Sequence, residues 1–175
     1  MQRHQLEHII RAAAGVTGAE ELIIIGSQAV LGQFPTAPAE LLASMEADLF
    51  TMRDAVDSDL IEGSIGEGSP FHQTFGYYAH GVAMDTATLP EGWRLRLVPI
   101  QNQNTRGSAG LCLEVHDLAV SKLVAGREKD IAFVAALLGH GLANSKMIEE
   151  RLDATMLGAE LCILCRVRLQ RLVST

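Results

Sequence analysis

The sequence predicts an α/β domain of the α+β kind: a small mixed β-sheet flanked by helices, with an all-helical C-terminal part. Three observations carry this. The β-branched run Leu22-Ile23-Ile24-Ile25 is bounded by turn residues, as a buried strand requires. Apolar residues stand at helical spacing before it, over 3–14, and again through 118–125, 131–138, 147–152 and 156–173. The 175 residues suit one domain, or a core with an appendage. The change of texture near Asp117 divides them into a core over 1–115 and a helical part over 116–175.

Leu6, Ile9, Ile10 and Ala13 mark the first helix, ended by Gly15 and Gly18. Residues 20–25 form the first strand. Gly26-Ser27 follows directly, and 28–34 can be helical until Pro35 and Pro38 break the pattern. A second strand covers about 45–51, a helix 54–63, and a short helix starts at Ser69. Extended runs follow at 77–84 and 94–100, separated by the turn residues Leu89-Pro90-Glu91-Gly92. Residues 102–110 read as a loop and 111–115 as a last edge strand. Glycines at 126, 139 and 141 punctuate the helical part.

Composition excludes several classes. Nearly half of the residues are apolar and a fifth are charged, which is ordinary for a globular chain. No apolar run approaches the roughly 18–20 residues of a membrane helix. Glu7 and polar neighbours stand where a signal peptide would be apolar, so a cytoplasmic protein without membrane association is expected. Three cysteines argue against a disulfide framework. Residues 1–100 carry 5 Lys/Arg against 13 Asp/Glu, and residues 101–175 carry 9 against 8. The acidic first part is a poor general nucleic-acid surface but a suitable place for a metal cation, or simply a solvated acidic face.

The chemistry-bearing feature is strand–Gly26-Ser27–helix followed by a strand with Glu46-Ala47-Asp48. Residues i and i+2 of a strand point to one face, so Glu46 and Asp48 project together, roughly 6–7 Å apart. Two like charges there repel unless a cation lies between them, and carboxylate oxygens suit Mg²⁺. Gly26-Ser27 at a helix start offers backbone N–H groups and a hydroxyl to a phosphate. A metal–phosphate site of this kind points to phosphoryl or nucleotidyl transfer.

On these residues the chain resembles the polymerase-β-type nucleotidyltransferase superfamily. It is most similar to the branch of uncharacterised bacterial nucleotidyltransferase-like proteins and AbiEii-type abortive-infection toxins. In that branch a helix with a lysine and then a basic-Asp pair follows the core, a pattern matched by His116–Asp130 with Lys122 and Lys129-Asp130. The resemblance spans about 20–140. It implies that Gly26 and Ser27 hold phosphate, that Glu46 and Asp48 hold Mg²⁺ (or Mn²⁺), and that Lys122 reaches the nucleotide. Lys129 and Asp130 brace the site. Three departures stand out. Glu46 replaces the usual Asp, 19 positions separate it from Ser27, and the third carboxylate is open, with Asp85 at the end of the 77–84 run the best candidate and a turn at Asp85-Thr86 the alternative.

Other signals have plainer readings. Cys162-x-x-Cys165 lies inside an apolar helix and reads as packing, since neither a redox pair nor a zinc site is completed. His4 and His8 at i and i+4 read as a solvent-facing helix. Asp54, Asp57 and Asp59 lack the EF-hand pattern and suit the first turn of a helix. Gly66 and Gly68 lack the lysine of a P-loop. Tyr77, Tyr78, His80 and Trp93 could line a base pocket, although core packing is commoner for aromatic strand residues. Two functions remain in view. One is an enzyme acting on a nucleoside triphosphate and an acceptor that could be a protein, an RNA or a small molecule. The other is a catalytically degenerate nucleotide- or partner-binding module of a toxin–antitoxin-like pair. A homodimer and a cognate partner protein are both compatible with these readings.

Overall fold

Two β-branched or apolar segments without internal charge form the centre of the sheet. In the computed structural model, which describes residues 1–53 and 55–174, β1 is Glu21–Ile24 and β5 is Ala109–Cys112, paired in parallel. β2 (Glu46–Phe50) runs antiparallel to β1 on its other side, and β3 (Tyr78–Gly81) lies parallel beyond it. β4 (Val98–Ile100) closes the far edge, giving the order β3-β2-β1-β5-β4. The expected position of the last strand as an edge is thus corrected. A charge-free strand fits the interior, whereas Pro99, which has no N–H to donate, belongs on an edge strand such as β4.

Eight α-helices surround the sheet among the described residues. α1 (Arg3–Thr17) buries Leu6, Ile9, Ile10 and Ala13 and ends at Gly18, with Gly15 inside it. Gly26-Ser27 opens a 3-10 turn, Ser27–Ala29, which runs into the single-turn α2 (Val30–Gln33). α3 (Val56–Ile65) and α4 (Pro70–Phe75) connect β2 to β3, and Ser69 caps α4 through its hydroxyl. Asp54 lies outside the described residues. Asp57 is buried and accepts a hydrogen bond from Thr51 Oγ1 at 2.6 Å, while Asp59 shares the same first turn.

The run at 94–100 is extended only in its second half. Trp93–Arg96 forms a 3-10 turn because the Arg96 guanidinium is drawn to Asp117 and the Glu91 carbonyl, which leaves Leu95 92% exposed. The helical part consists of α5 (Val115–Ala125), α6 (Glu128–Gly139), α7 (Ser145–Asp153) and α8 (Ala159–Val173). Its apolar faces continue the core of the sheet: Leu118, Leu123, Val134, Leu152 and Leu169 join Ile24, Leu49 and Leu113 in one cluster. Cys165 belongs to this cluster and Cys162 is half-buried; both are free thiols. His8 is not solvent-facing. It packs among Phe71, Phe75 and Tyr77 and shares a 2.8 Å hydrogen bond with the Tyr77 hydroxyl. No described helix is long and apolar enough to cross a membrane.

Candidate metal and nucleotide site

The strand period decides which side chains meet. Ala47 and Leu49 of β2 and Ala79 of β3 are fully buried on one side, so Glu46, Asp48, Tyr78 and His80 share the other. The parallel register sets Tyr78 beside Glu46 and His80 beside Asp48. The Tyr78 hydroxyl donates to Glu46 Oε2 at 3.1 Å, and His80 Nδ1 lies 3.0 Å from Asp48 Oδ1. Burial, with the Glu46 charge adding to it, pushes the Tyr78 phenol up to about 12, so it remains a donor at neutral pH.

β1 delivers Gly26 to the same place. Ile25 N–H donates to the Asp48 carbonyl at 3.0 Å, and the Asp48 carboxylate lies directly against the Gly26 α-carbon. Ser27 follows at the rim. The resulting cleft, of about 660 Å³, is bounded by Ser27, Glu46, Asp48 and His80 on the sheet side. Lys122, Arg127, Lys129 and Asp130 bound it on the helical side. Its size suits a small-molecule ligand. A smaller recess of about 150 Å³ shares Asp48, Lys122 and Arg127 with it and reaches Gly26 and Ser121.

The helical side is built around a chain reversal. Gly126 has φ 65°, in the left-handed region that favours glycine, and its N–H closes α5 on the Lys122 carbonyl at 2.9 Å. α5 and α6 are therefore separate helices. Lys122 and Lys129 consequently stand on different helices, Lys122 in the last turn of α5 and Lys129 at the start of α6. The restart brings Asp130, 1% exposed, between Lys122 Nζ at 3.1 Å and Arg127 Nε at 2.6 Å. Lys122 is nearly buried, with its ammonium over the Phe133 ring at 5.6 Å, and is not the solvated lysine its helix position suggests.

Burial alone would raise the Asp130 pKa. Hydrogen bonds and charge from Arg127 and Lys122 outweigh it and hold the carboxyl below the ordinary value of 3.8. A depressed carboxylate stabilises the fold above its ordinary pKa and loses that contribution as pH falls through its folded value. Equilibrium unfolding below pH 4 should therefore destabilise the parent more steeply than Asp130→Asn. Parallel pH profiles for the two would refute this role. Arg127 is held more strongly protonated, first by its hydrogen bond to Asp130 and also by the charges of Asp48 and Glu46.

Of the residues expected from sequence, Ser27, Glu46, Asp48, Lys122, Lys129 and Asp130 line one cleft, and Gly26 lines the adjoining recess. Asp85 does not join them. It is exposed in a 3-10 turn, Met84–Thr86, beyond the end of β3. The group within reach of both acids is instead His80: one ligand atom from each of Glu46, Asp48 and His80 lies within 4.8 Å of the others. Arg127 is a further contributor with no motif of its own, and Tyr78, which by sequence reads as a base-pocket or core aromatic, holds Glu46 instead. The alternation Tyr78-Ala79-His80, matching Glu46-Ala47-Asp48, was the available signal. Tyr77 and Trp93 pack into or against the core instead.

The family model described as nucleotidyltransferase of unknown function (DUF6036) matches residues 4–161, from α1 into the first turn of α8. The chain belongs to this family. Searches of curated proteins and of solved structures found no match. Membership of the family implies a nucleoside triphosphate as substrate and suggests a divalent metal ion. The donors present fit such an ion, since two carboxylates and an imidazole converge at one side of a cleft that also holds three cationic side chains.

Proposed function

We propose that this protein transfers a nucleotidyl group from a nucleoside triphosphate to an acceptor, with Mg²⁺ or Mn²⁺ held by Glu46 and Asp48. The observation that carries the proposal is the pair of carboxylates on one strand face, with Ser27 beside them and Lys122 across the same cleft. An acceptor oxygen forms a bond to the α-phosphorus, the bond from that phosphorus to the bridging oxygen breaks, and pyrophosphate leaves with the electron pair. The acceptor proton passes to the Asp48 carboxylate, which lines both the cleft and the recess. Ser27 and its backbone neighbours orient the terminal phosphates, while Lys122 and Arg127 neutralise their charge. The cation, when bound, offsets the repulsion between Glu46 and Asp48 and the charge of the triphosphate.

A second reading keeps nucleotide binding without transfer, and the imidazole of His80 where a third carboxylate is usual favours it. Kinship with the AbiEii-type toxins, supported by Lys122 and Lys129-Asp130, would make the protein one member of a toxin–antitoxin-like pair with a cognate partner.

Calorimetric titration with each triphosphate, with and without Mn²⁺ or Mg²⁺, tests the binding step. Ser27→Ala removes a hydrogen bond to a charged group and should cost about 1.5–3 kcal/mol, roughly 10- to 150-fold in affinity. Lys122→Met, which keeps the contact with Phe133, should weaken binding while Arg127 still satisfies Asp130. Parent-like affinity in both variants would mean that phosphates bind elsewhere. Release of pyrophosphate in the presence of candidate acceptors separates transfer from binding alone.

A further inference from the structure

The donor set itself discriminates among cations. Glu46 and Asp48 supply oxygen, but the third group facing them is the His80 imidazole, set across β2 and β3 by the Asp48–His80 register. The set carries two formal negative charges where three carboxylates would carry three. Mg²⁺ is a hard ion that favours oxygen donors and is held largely by charge. Imidazole nitrogen suits the later first-row transition ions best, and Mn²⁺, the weakest binder of that series, still accepts it more readily than Mg²⁺ does.

We infer that His80 is a metal ligand and that the site selects a divalent transition cation, with Mn²⁺ as its probe, over Mg²⁺. The inference rests on the reading of Glu46 and Asp48 as the metal-binding pair. Three placements support it. The Asp48 carboxylate is confined by the Gly26 α-carbon on one side and His80 Nδ1 on the other. Tyr78 holds one oxygen of Glu46 and leaves the other open to the cluster. Ligand atoms that all lie within 4.8 Å of one another can surround one ion after a small side-chain adjustment, since opposite ligands at bonds of roughly 2.0–2.2 Å lie roughly 4.0–4.4 Å apart. The cation would replace the His80–Asp48 hydrogen bond, taking both groups as ligands. His80 remains half-exposed, so water can complete the coordination.

The test is pulsed electron paramagnetic resonance of Mn²⁺ bound to the full chain, which reports directly on ¹⁴N coupling from a ligating imidazole. The parent should show that coupling, and His80→Asp should lose it. In competition experiments His80→Asp should also lower the Mn²⁺ over Mg²⁺ preference by about tenfold or more, since even outer partners of metal ligands commonly change affinity about 10- to 100-fold. If Mn²⁺ binds through Glu46 and Asp48 without nitrogen coupling, or the coupling persists in His80→Asp, the assignment of His80 is overturned and the proposed function stands. If the parent binds neither Mn²⁺ nor Mg²⁺, with nucleotide or without, the metal reading of Glu46 and Asp48 falls and this inference falls with it.

Discussion

Gly26→Ala is expected to abolish most metal-dependent nucleotide binding while leaving the protein folded. The glycine is not required by its backbone, since φ −80° and ψ −174° are open to any residue. It is required by contact. An added β-carbon would lie 2.2 Å from Asp48 Oδ2, 2.8 Å from its Cγ and 3.0 Å from its Cβ. The Asp48 main chain cannot retreat easily, because its carbonyl accepts from Ile25 and its strand pairs on both sides. The side chain must therefore swing away, at a cost of about 0.5–1.5 kcal/mol if it leaves a rotamer minimum. That is a small fraction of the stability of a domain. The functional loss should be larger, since a displacement of about 1 Å at a reacting site can cost roughly 100-fold. Thermal unfolding and Mn²⁺–triphosphate calorimetry on the same preparation separate the two effects. Parent-like binding in the alanine variant would show that the Asp48 carboxylate is not part of the site.

The largest loss of stability is expected at Asp117, outside the cleft. Its side chain is fully buried and takes two hydrogen bonds from Arg96, at 2.8 and 3.0 Å, with Arg151 Nε at 3.4 Å. The cluster joins the turn before β4 to α5 and α7. Burial is the larger influence on the Asp117 carboxyl and pushes its pKa up, with Arg96 drawing it back. The attraction thus offsets desolvation rather than exceeding it by much. Removing the acid alone leaves two partly buried arginines facing each other, and breaking such a buried group typically costs about 3–5 kcal/mol. Asp117→Ala should accordingly shift the denaturant midpoint by a large part of the whole transition. Replacing all three members together, as Asp117→Leu with Arg96→Met and Arg151→Met, should recover most of that loss, because apolar replacement of buried ion clusters is often near neutral. A triple variant as unstable as Asp117→Ala would refute this account.

These two aspartates show how differently sequence reveals role. Asp48 was legible because its neighbours alternate: Glu46 and Asp48 on one face of a strand, Ala47 and Leu49 on the other. Asp117 stood in the His116–Asp130 block that carried the family resemblance, yet its partners lie 21 and 34 positions away and form a structural cluster. By sequence His80 reads as a base-pocket or core aromatic, and Asp85 as the best candidate for the third acid. Which of them faces Asp48 depends on where β3 pairs: the alternation Tyr78-Ala79-His80 puts Tyr78 and His80 on one face, but the register that sets His80 beside Asp48 is fixed only across the sheet.

What the sequence by itself determined is whatever repeats with a local period. The α+β class, the helical C-terminal part, the shared face of Glu46 and Asp48 and the break at Gly126 all follow from neighbours within a few residues, where torsional preference and side-chain spacing act. Tertiary structure decided the rest. It set β5 inside the sheet and β4 at its edge, laid His80 rather than Asp85 beside Asp48, and turned α6 so that Asp130 is clasped by Lys122 and Arg127. The physical reason is the same in each case. Strand order, register and the direction a chain takes after a left-handed glycine are chosen by the packing of the whole core, to which distant segments contribute together.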